Sequence, residues 1–297
     1  MLKIGYFADG PWAHEAFKKL ILDKQISIQF ICVRYDTTDR VLLDYCEHYN
    51  IRYLKHENIN SDEFIQGIQH FDCDLFVSMS FNQIFKAKII NLPKFKTINC
   101  HAGRLPFYRG RNILNWTLIN DEKEFGITVH YIDEGIDTGD IITQELYPIN
   151  DDDSYDTLLR RSYSGCADVL YKAIRMFIDG KVKRQNQSEI HPTGFYCTQR
   201  KNGDEIIDWN QTSREIFNFI RSICSPGPRA RAFINNQEMK INKAVIVKNA
   251  PNYKCVIGAI LYKDINGLVV KTSDNFIRIV EYEYEGLIKV GDRFEIR

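Results

Sequence analysis

The feature that most constrains this chain is the alternation of short apolar segments with amphipathic ones through its first half. LKIGYFA at the start and SIQFICV further on are continuous apolar runs of strand length. Between them Trp12, Phe17, Leu20 and Ile21 recur at helical spacing over residues 12–22. VLLDYCEHYN then reads as a second helix, IRYL and DEFIQGIQ repeat the strand–helix pair, and CDLFVSMS and FKTINC are two more strands. This order predicts an α/β fold: a doubly wound, Rossmann-like sheet with helices on its faces. Ligands in such sheets bind beyond the carboxyl ends of the strands. The residues just after SMS and INC are therefore placed for chemistry.

ITVHYI and IITQELYPI predict two further strands, joined by the loop DEGIDTGD. A long helix follows over about 154–179, with Ser154 as N-cap, an apolar stripe of Leu158, Leu159, Cys166, Val169, Leu170, Ile174 and Phe177, and Gly180 as the stop. Composition changes near 181, where KVKRQNQSEIHPTG carries few large apolar residues and reads as linker or exposed loop. SREIFNFIRSI is helical and SPGP breaks the chain after it. From about 229, MKINKAVIV, CVIGAILYK, GLVVKTS, FIRIVEYEY and RFEI alternate with turn residues, which predicts a small β-barrel, OB-like among the candidates. The expected division is a first domain at 1–180, a linker at 181–204 and a C-terminal OB-like β domain at 205–297.

Charge and cysteine content exclude several function classes. Lysine plus arginine and aspartate plus glutamate both number 39, so bulk charge does not call for nucleic acid or an anionic membrane. No uncharged apolar run approaches the roughly 20 residues of a membrane span. Lys3 and Asp9 interrupt any apolar signal region at the start, so a cytoplasmic location is expected. The eight cysteines include no C-x-x-C pair, and several sit in apolar runs, as buried reduced thiols do.

The stretch 97–140 carries the chemistry. Asn99 and His101 flank Cys100 at a strand end, and strand alternation points both side chains to one face if the strand geometry persists. Asp137 lies in a glycine-containing loop after another strand. Such a trio suits acyl transfer to an amine. Asn can donate to an oxyanion, His can donate to it or accept a proton from the nucleophile, and a carboxylate orients the ring and favours its charged form. Residues of these types at a strand end and in a turn also commonly satisfy local backbone groups. No second His or Cys stands at ligand spacing near His101, so no metal is expected.

NCHAGRLPFYRGRNILNW followed by GITVHYIDEGIDTGDII resembles the formyltransferase family, which includes methionyl-tRNA formyltransferase, glycinamide ribonucleotide transformylase, formyltetrahydrofolate hydrolase and the sugar N-formyltransferases. Asn99, His101, Leu105, Pro106, Arg109, Gly110, Asp137 and Gly139 match the family motif, while Gly103 and Arg104 depart from its usual Ser-Leu. The match is dense over about 72–145. The resemblance implies catalytic roles for Asn99, His101 and Asp137, and 10-formyltetrahydrofolate as formyl donor. It places the pterin between the loop holding Ser80, Phe81, Asn82 and Ile84 and the loop from Asp133 through Gly135 to Asp137. Phe81 and Ile84 either wall the pterin or pack in the core.

The acceptor is read from what surrounds the motif. FADGPWAHE lacks the phosphate-binding glycine motif of the purine enzyme, and the chain starts directly on the first strand, without the regulatory domain that usually precedes the hydrolase. The segment DEIIDWNQTSREIFNFIRS resembles the entry to the C-terminal domain of methionyl-tRNA formyltransferase. That enzyme has a basic insertion where this chain reads RYDTTDR, and a basic C-terminal domain; here charges over 229–297 are nearly balanced and EYEYE is acidic. The resemblance therefore points to a sugar N-formyltransferase acting on a nucleotide-linked amino-deoxy sugar, dTDP-linked by family analogy and destined for O-antigen or another surface glycan. It implies a homodimer and no nucleic-acid partner. HPTGFYCTQRKNGDEIIDW resembles the stretch that closes over the nucleotide: Tyr196 can stack on a base and Arg200 or Lys201 meet a diphosphate, or all three are plain loop residues. Trp12 and His14 line the acceptor cleft or pack inside, and Arg104 shapes the acceptor side. Methionyl-tRNA formyltransferase is the alternative; a folate-binding homologue without turnover is the alternative of another class.

Overall fold

The computed structural model describes residues 1–251 and 254–296. In chain order the elements are β1 (Leu2–Ala8), α1 (Gly10–Leu20), β2 (Ile26–Val33), α2 (Arg40–Tyr49), β3 (Arg52–Lys55), α3 (Asp62–Gln69), β4 (Leu75–Met79), α4 (Ala87–Ile90), β5 (Thr97–His101), β6 (Arg109–Gly110), α5 (Ile113–Ile119), β7 (Glu124–Tyr131), β8 (Ile141–Pro148), α6 (Tyr155–Ile178), α7 (Gln187–Ile190), β9 (Tyr196–Cys197), α8 (Ser213–Ser222), β10 (Ala230–Ile234), β11 (Gln237–Ile246), β12 (Ile260–Asp264), β13 (Gly267–Lys271) and β14 (Phe276–Glu283). They form two compact units. The first holds 1–111, 125–147 and 160–197; the second holds 112–124, 148–159 and 198–297.

The first unit is built on a seven-stranded sheet in the order β3-β2-β1-β4-β5-β7-β8. The pairs from β3 through β5 are parallel, and β7 runs antiparallel to β5. The sheet is thus Rossmann-like with a mixed edge. The order reverses between β1 and β4, and this switch point sits beside the strand that ends at His101. Strands β1 and β4 are almost wholly buried, as strands covered on both faces must be. Phe7 anchors one core cluster, edge-on to Phe30, Phe76 and Phe85 at 5.0–5.6 Å between centroids. Burial of each such ring contributes about 2–3 kcal/mol. Helix starts follow their local chemistry: Asp39 caps α2 through the Leu42 amide, and Ser61 caps α3 through the Phe64 amide.

Residues 181–204 are mostly exposed, but they carry α7 and β9. Within them Gln187 alone is buried, and β9 pairs with β6 in parallel. Gly110 in β6 has φ +95, and a Cβ there would meet the Cys197 carbonyl oxygen at 2.5 Å, so this approach of two backbones requires glycine.

The second unit carries a five-stranded antiparallel sheet, β10-β11-β14-β13-β12, packed on α8 around Trp209, Ile216, Ile220, Ile241 and Ile279. A capping box between Thr212 and Glu215 starts α8. Two details differ from expectation. RFEI forms only a bridge, Arg293 to Ala259, and the fifth strand is β10. β10 and β11 form a hairpin because Asn235 and Asn236 both adopt left-handed φ, 52° and 61°, which a tight hairpin turn needs and asparagine tolerates.

Candidate active site

Strand register assembles the site. In the antiparallel β5–β7 pair Asn99 lies opposite His130, and His101 lies opposite Thr128, so all four share one face of the sheet. His130 was not singled out from the sequence. Its signal was there: FGITVHYI places Thr128 and His130 at alternate positions in an otherwise apolar strand.

The three expected residues do come together, around Asp137. Its Oδ2 lies 3.6 Å from His101 Nδ1, and its Oδ1 lies 3.5 Å from His130 Nε2. The Gly110 amide donates to Oδ2 at 2.9 Å. Burial by itself would raise the Asp137 carboxyl, but the two imidazoles and the Gly110 N–H outweigh it and hold the group well below the usual carboxylate range. Asp137 is therefore an anion throughout the physiological range. Its backbone is left-handed, φ 55, a conformation aspartate tolerates better than most residues.

The rings are oriented by backbone carbonyls. His101 Nε2 lies 2.7 Å from the Tyr108 carbonyl oxygen, so this nitrogen carries the proton and Nδ1 is left toward Asp137. His130 Nδ1 donates to its neighbour, the Tyr131 carbonyl, at 2.8 Å, and its Nε2 lies 3.3 Å from Asn99 Nδ2 and 3.5 Å from Asp137 Oδ1. The 103–108 loop reaches His101 because position 103 is glycine: a Cβ there would stand 2.4 Å from His101 Nε2 and 2.5 Å from the Tyr108 oxygen. The loop is tied to β7 and β8, with Thr128 Oγ1 donating to the Gly103 carbonyl at 2.7 Å and Gln144 Nε2 donating to the Leu105 carbonyl at 2.9 Å. Among the described residues no group of three His, Cys, Asp or Glu side chains is placed to hold a metal ion.

Two family profiles cover most of the chain: "Formyl transferase" matches residues 31–174, and "Formyl transferase, C-terminal domain" matches 200–290. The methionyl-tRNA formyltransferase of Fusobacterium nucleatum is 36% identical over 77% of this chain and 73% of its own length. The chain belongs to the formyltransferase family. It is an N-formyltransferase. Its fold is also that of two solved structures, each 24% identical. WlaRD, a sugar 3N-formyltransferase determined in the presence of dTDP and 5-N-formyl-tetrahydrofolate, has a TM-score of 0.70 and covers 94% of this chain and 97% of that one. The N-formyltransferase of Helicobacter canadensis, in complex with folinic acid and dTDP-3-aminofucose, has a TM-score of 0.68 and covers 95% and 100%.

The other expected site residues of the formyltransferase are placed as follows. Ser80 turns the chain after β4 at φ 58, and Arg34 donates to its carbonyl from Nε at 2.9 Å. Phe81 packs edge-on against Phe7 at 5.6 Å, while Ile84 is 65% exposed and so is not a core residue. The Asn82 amide donates to Asp36 at 3.1 Å. Asp133 accepts from the Gly135 amide at 3.1 Å and from Thr138 Oγ1 at 2.6 Å, which shapes the loop that carries Asp137. Trp12 is half-buried: its indole N–H donates to Ser162 Oγ at 3.0 Å, and its ring meets Tyr163 edge-on at 4.8 Å. His14 is held by Asp39 at 2.7 Å. Arg104 is half-buried, its backbone against Gly126. Tyr196 is exposed, with the Arg109 guanidinium 5.4 Å from its ring centre. Arg200 and Lys201 belong to the second unit. There the Arg200 guanidinium lies over the Trp116 and Phe219 rings at 5.6 and 5.3 Å, and Lys201 is exposed. No helix among the described residues is long and apolar enough to cross a membrane.

Proposed function

We propose that this N-formyltransferase moves the formyl group of 10-formyltetrahydrofolate onto the primary amine of a nucleotide-linked amino-deoxy sugar, dTDP-linked, for a surface glycan such as O-antigen. The free amine attacks the formyl carbon, a C–N bond forms and the carbonyl electron pair moves to oxygen. Asn99, whose amide nitrogen lies 3.3 Å from His130 Nε2, is proposed to donate an N–H to that oxyanion. The ammonium proton passes to His101 Nδ1, where the charge created lies 3.6 Å from Asp137. The oxyanion's electron pair then re-forms the carbonyl, the bond to N10 breaks, N10 takes the proton back from His101, and formamide and tetrahydrofolate leave. The loop from Ser80 through Phe81 and Asn82 to Ile84, and the loop from Asp133 through Gly135, are the proposed pterin walls. The exposure of Ile84 supports a contact with a flat apolar ligand. Trp12, Arg104 and Tyr196 are proposed for the acceptor side. The proposed role of Arg200 and Lys201 on the diphosphate is read from the acceptor KM of Lys201→Ala.

The observation that carries the choice of acceptor is the charge of the C-terminal sheet. Residues 229–297 hold twelve lysines and arginines against eight aspartates and glutamates, a positive excess of four and so less even than expected, but Arg229, Arg231 and Arg278 are ion-paired within the second unit. The two sugar N-formyltransferases that share the fold nearly end to end support the same reading. The 36% identity to a methionyl-tRNA formyltransferase favours a second one, with charged initiator tRNA as acceptor. The test is competitive: donor, a panel of nucleotide-linked amino sugars and methionyl-tRNA, with formyl gain followed by mass spectrometry. Formylation of at least one sugar, faster than of tRNA at physiological salt, is the expected result; faster formylation of tRNA overturns it.

A further inference from the structure

Gln187 is a buried primary amide in a stretch otherwise exposed. Burying an amide is costly unless its hydrogen-bonding groups are satisfied. Here all are. Nε2 donates to the Asp137 carbonyl at 2.9 Å and to the Gly139 carbonyl at 2.8 Å. Oε1 accepts from Arg109 Nε at 3.1 Å and from Nη2 at 2.7 Å. Only one orientation of the amide works, because carbonyls need donors and a guanidinium needs an acceptor.

The other partner is equally unusual. Arg109 is 7% exposed, and among the described residues no carboxylate lies within ion-pair distance of it. Its remaining partners are the Thr193 carbonyl at 3.2 Å and the Tyr196 ring. A buried guanidinium with neutral partners is a rigid fork, not a salt bridge. Its neighbour Gly110 donates to the Asp137 carboxylate at 2.9 Å. The contacts therefore close a ring: from the Asp137 carboxylate to Gly110, through the Arg109 side chain to the Gln187 amide, and back to the Asp137 backbone carbonyl. Side chain and backbone of one left-handed residue are gripped from both ends.

We propose that Gln187, acting through Arg109, is the positioning residue that sets the Asp137 carboxylate against His101 and His130. The inference rests on the reading of Asp137 as the carboxylate of the transfer site. Gln187 itself touches neither ring, and it acts only by fixing where Asp137 stands. A displacement of about 1 Å at such a site can cost on the order of 10²-fold in rate.

Two variants test it. Gln187→Glu keeps the shape and the Arg109 bonds but turns an anion toward two carbonyls. Gln187→Leu keeps the bulk and removes all four bonds. The first readout is made on the unliganded full chain: hydrogen exchange of the Gly110 amide followed by NMR, since that amide bonds Oδ2 directly. It is expected to exchange about tenfold faster in both variants, the loss of one modest bond. The second readout is kinetic: kcat falls about 10- to 100-fold while KM for donor and acceptor stays within about threefold, a split that general loosening does not produce. Unchanged Gly110 protection in Gln187→Glu, or a kcat like the parent's, overturns the proposal. If the parent transfers no formyl group to any amine, the proposed function fails while the exchange measurement still decides where Gln187 holds Asp137.

Discussion

Replacing Asp137 by Asn changes one charge and little else. Asparagine accepts left-handed backbone at least as readily as aspartate, so φ 55 is kept. Its Oδ1 still accepts from the Gly110 amide that now lies 2.9 Å from the carboxylate. What is lost is the anion 3.6 Å from His101 Nδ1 and 3.5 Å from His130 Nε2. At these separations a carboxylate and an imidazolium attract by roughly 4–5 kcal/mol at an effective dielectric of about 20. The amide dipole restores part of this, and a net loss of about 3–4 kcal/mol in the transition state is about 10²–10³ in kcat. Because the Asp137 carboxyl is held below the usual range, it does not titrate between pH 5 and 9, and pH dependence there comes from other groups. The residual rate of the variant should nonetheless follow a different pH profile, since the charge beside those groups has gone. The assay is a pH–rate profile of both proteins at saturating donor and acceptor. A loss under about threefold with overlaid profiles would refute the role of Asp137. A depressed folded-state value means that the carboxylate stabilises above its unfolded value, about pH 3.9, and that this is lost on acidification below it. The variant should melt below the parent at pH 7, and the gap should close below pH 4.

His101→Ala should lose about 10²–10³ in kcat with its fold intact by circular dichroism; near-parent turnover removes His101 from the chemistry. Gly103→Ala puts a Cβ 2.4 Å from His101 Nε2. The loop or the ring must give way, with kcat expected to fall at least about tenfold; parent-like turnover would show that the loop does not hold the ring. Asp121 is drawn down to about 2: burial opposes this, but bonds from Arg214 and Lys123 outweigh it. Its contribution is present above about pH 3.9 and is lost as the pH falls through about 2, so Asp121→Asn should lower the melting temperature at pH 7 by more than it does at pH 2, read from thermal melts across pH.

Much of the first unit was legible because its signals are local. The segment DEFIQGIQ became α3 over the same residues, and the apolar runs became β1, β2 and β4. The three residues around Asp137 were legible only through a motif, since nothing local says that a turn aspartate will meet a strand histidine. His130 and Gln187 escaped for a physical reason. Each acts through a partner far along the chain: His130 through the β5–β7 register, Gln187 through carbonyls about 50 residues away. A polar residue in an apolar strand left a trace of the first. For the second there was none, because a glutamine among lysines, serines and prolines looks like any exposed loop. The antiparallel setting of β7 and the hairpin at Asn235-Asn236 also depended on pairing rather than on composition.

The chemistry proposed at Asp137 is indifferent to what carries the amine, so acceptor choice must come from interactions away from it. An RNA acceptor would have to be held largely by phosphates, and 6–10 such contacts require as many cationic side chains free to displace counterions. In the second unit Arg214 is paired with Asp121 and Asp151, Arg229 with Glu283, Arg231 with Glu205 and Glu238, and Arg278 with Asp264, while Lys201, Lys240, Lys243, Lys248, Lys289 and Arg293 are exposed. Lys271 is buried and directed at the Asn275 carbonyl. Exposed pairs of this kind are weak one by one, worth about 0–1 kcal/mol, yet each must be broken before its arginine can meet a phosphate, and each leaves behind a carboxylate that repels the same backbone. A small diphosphate asks for only one or two cations. The distribution of charge thus bears on the proposed acceptor: the paired arginines are costly to recruit for phosphates, and the exposed lysines are the cations whose replacement by alanine should weaken any RNA binding.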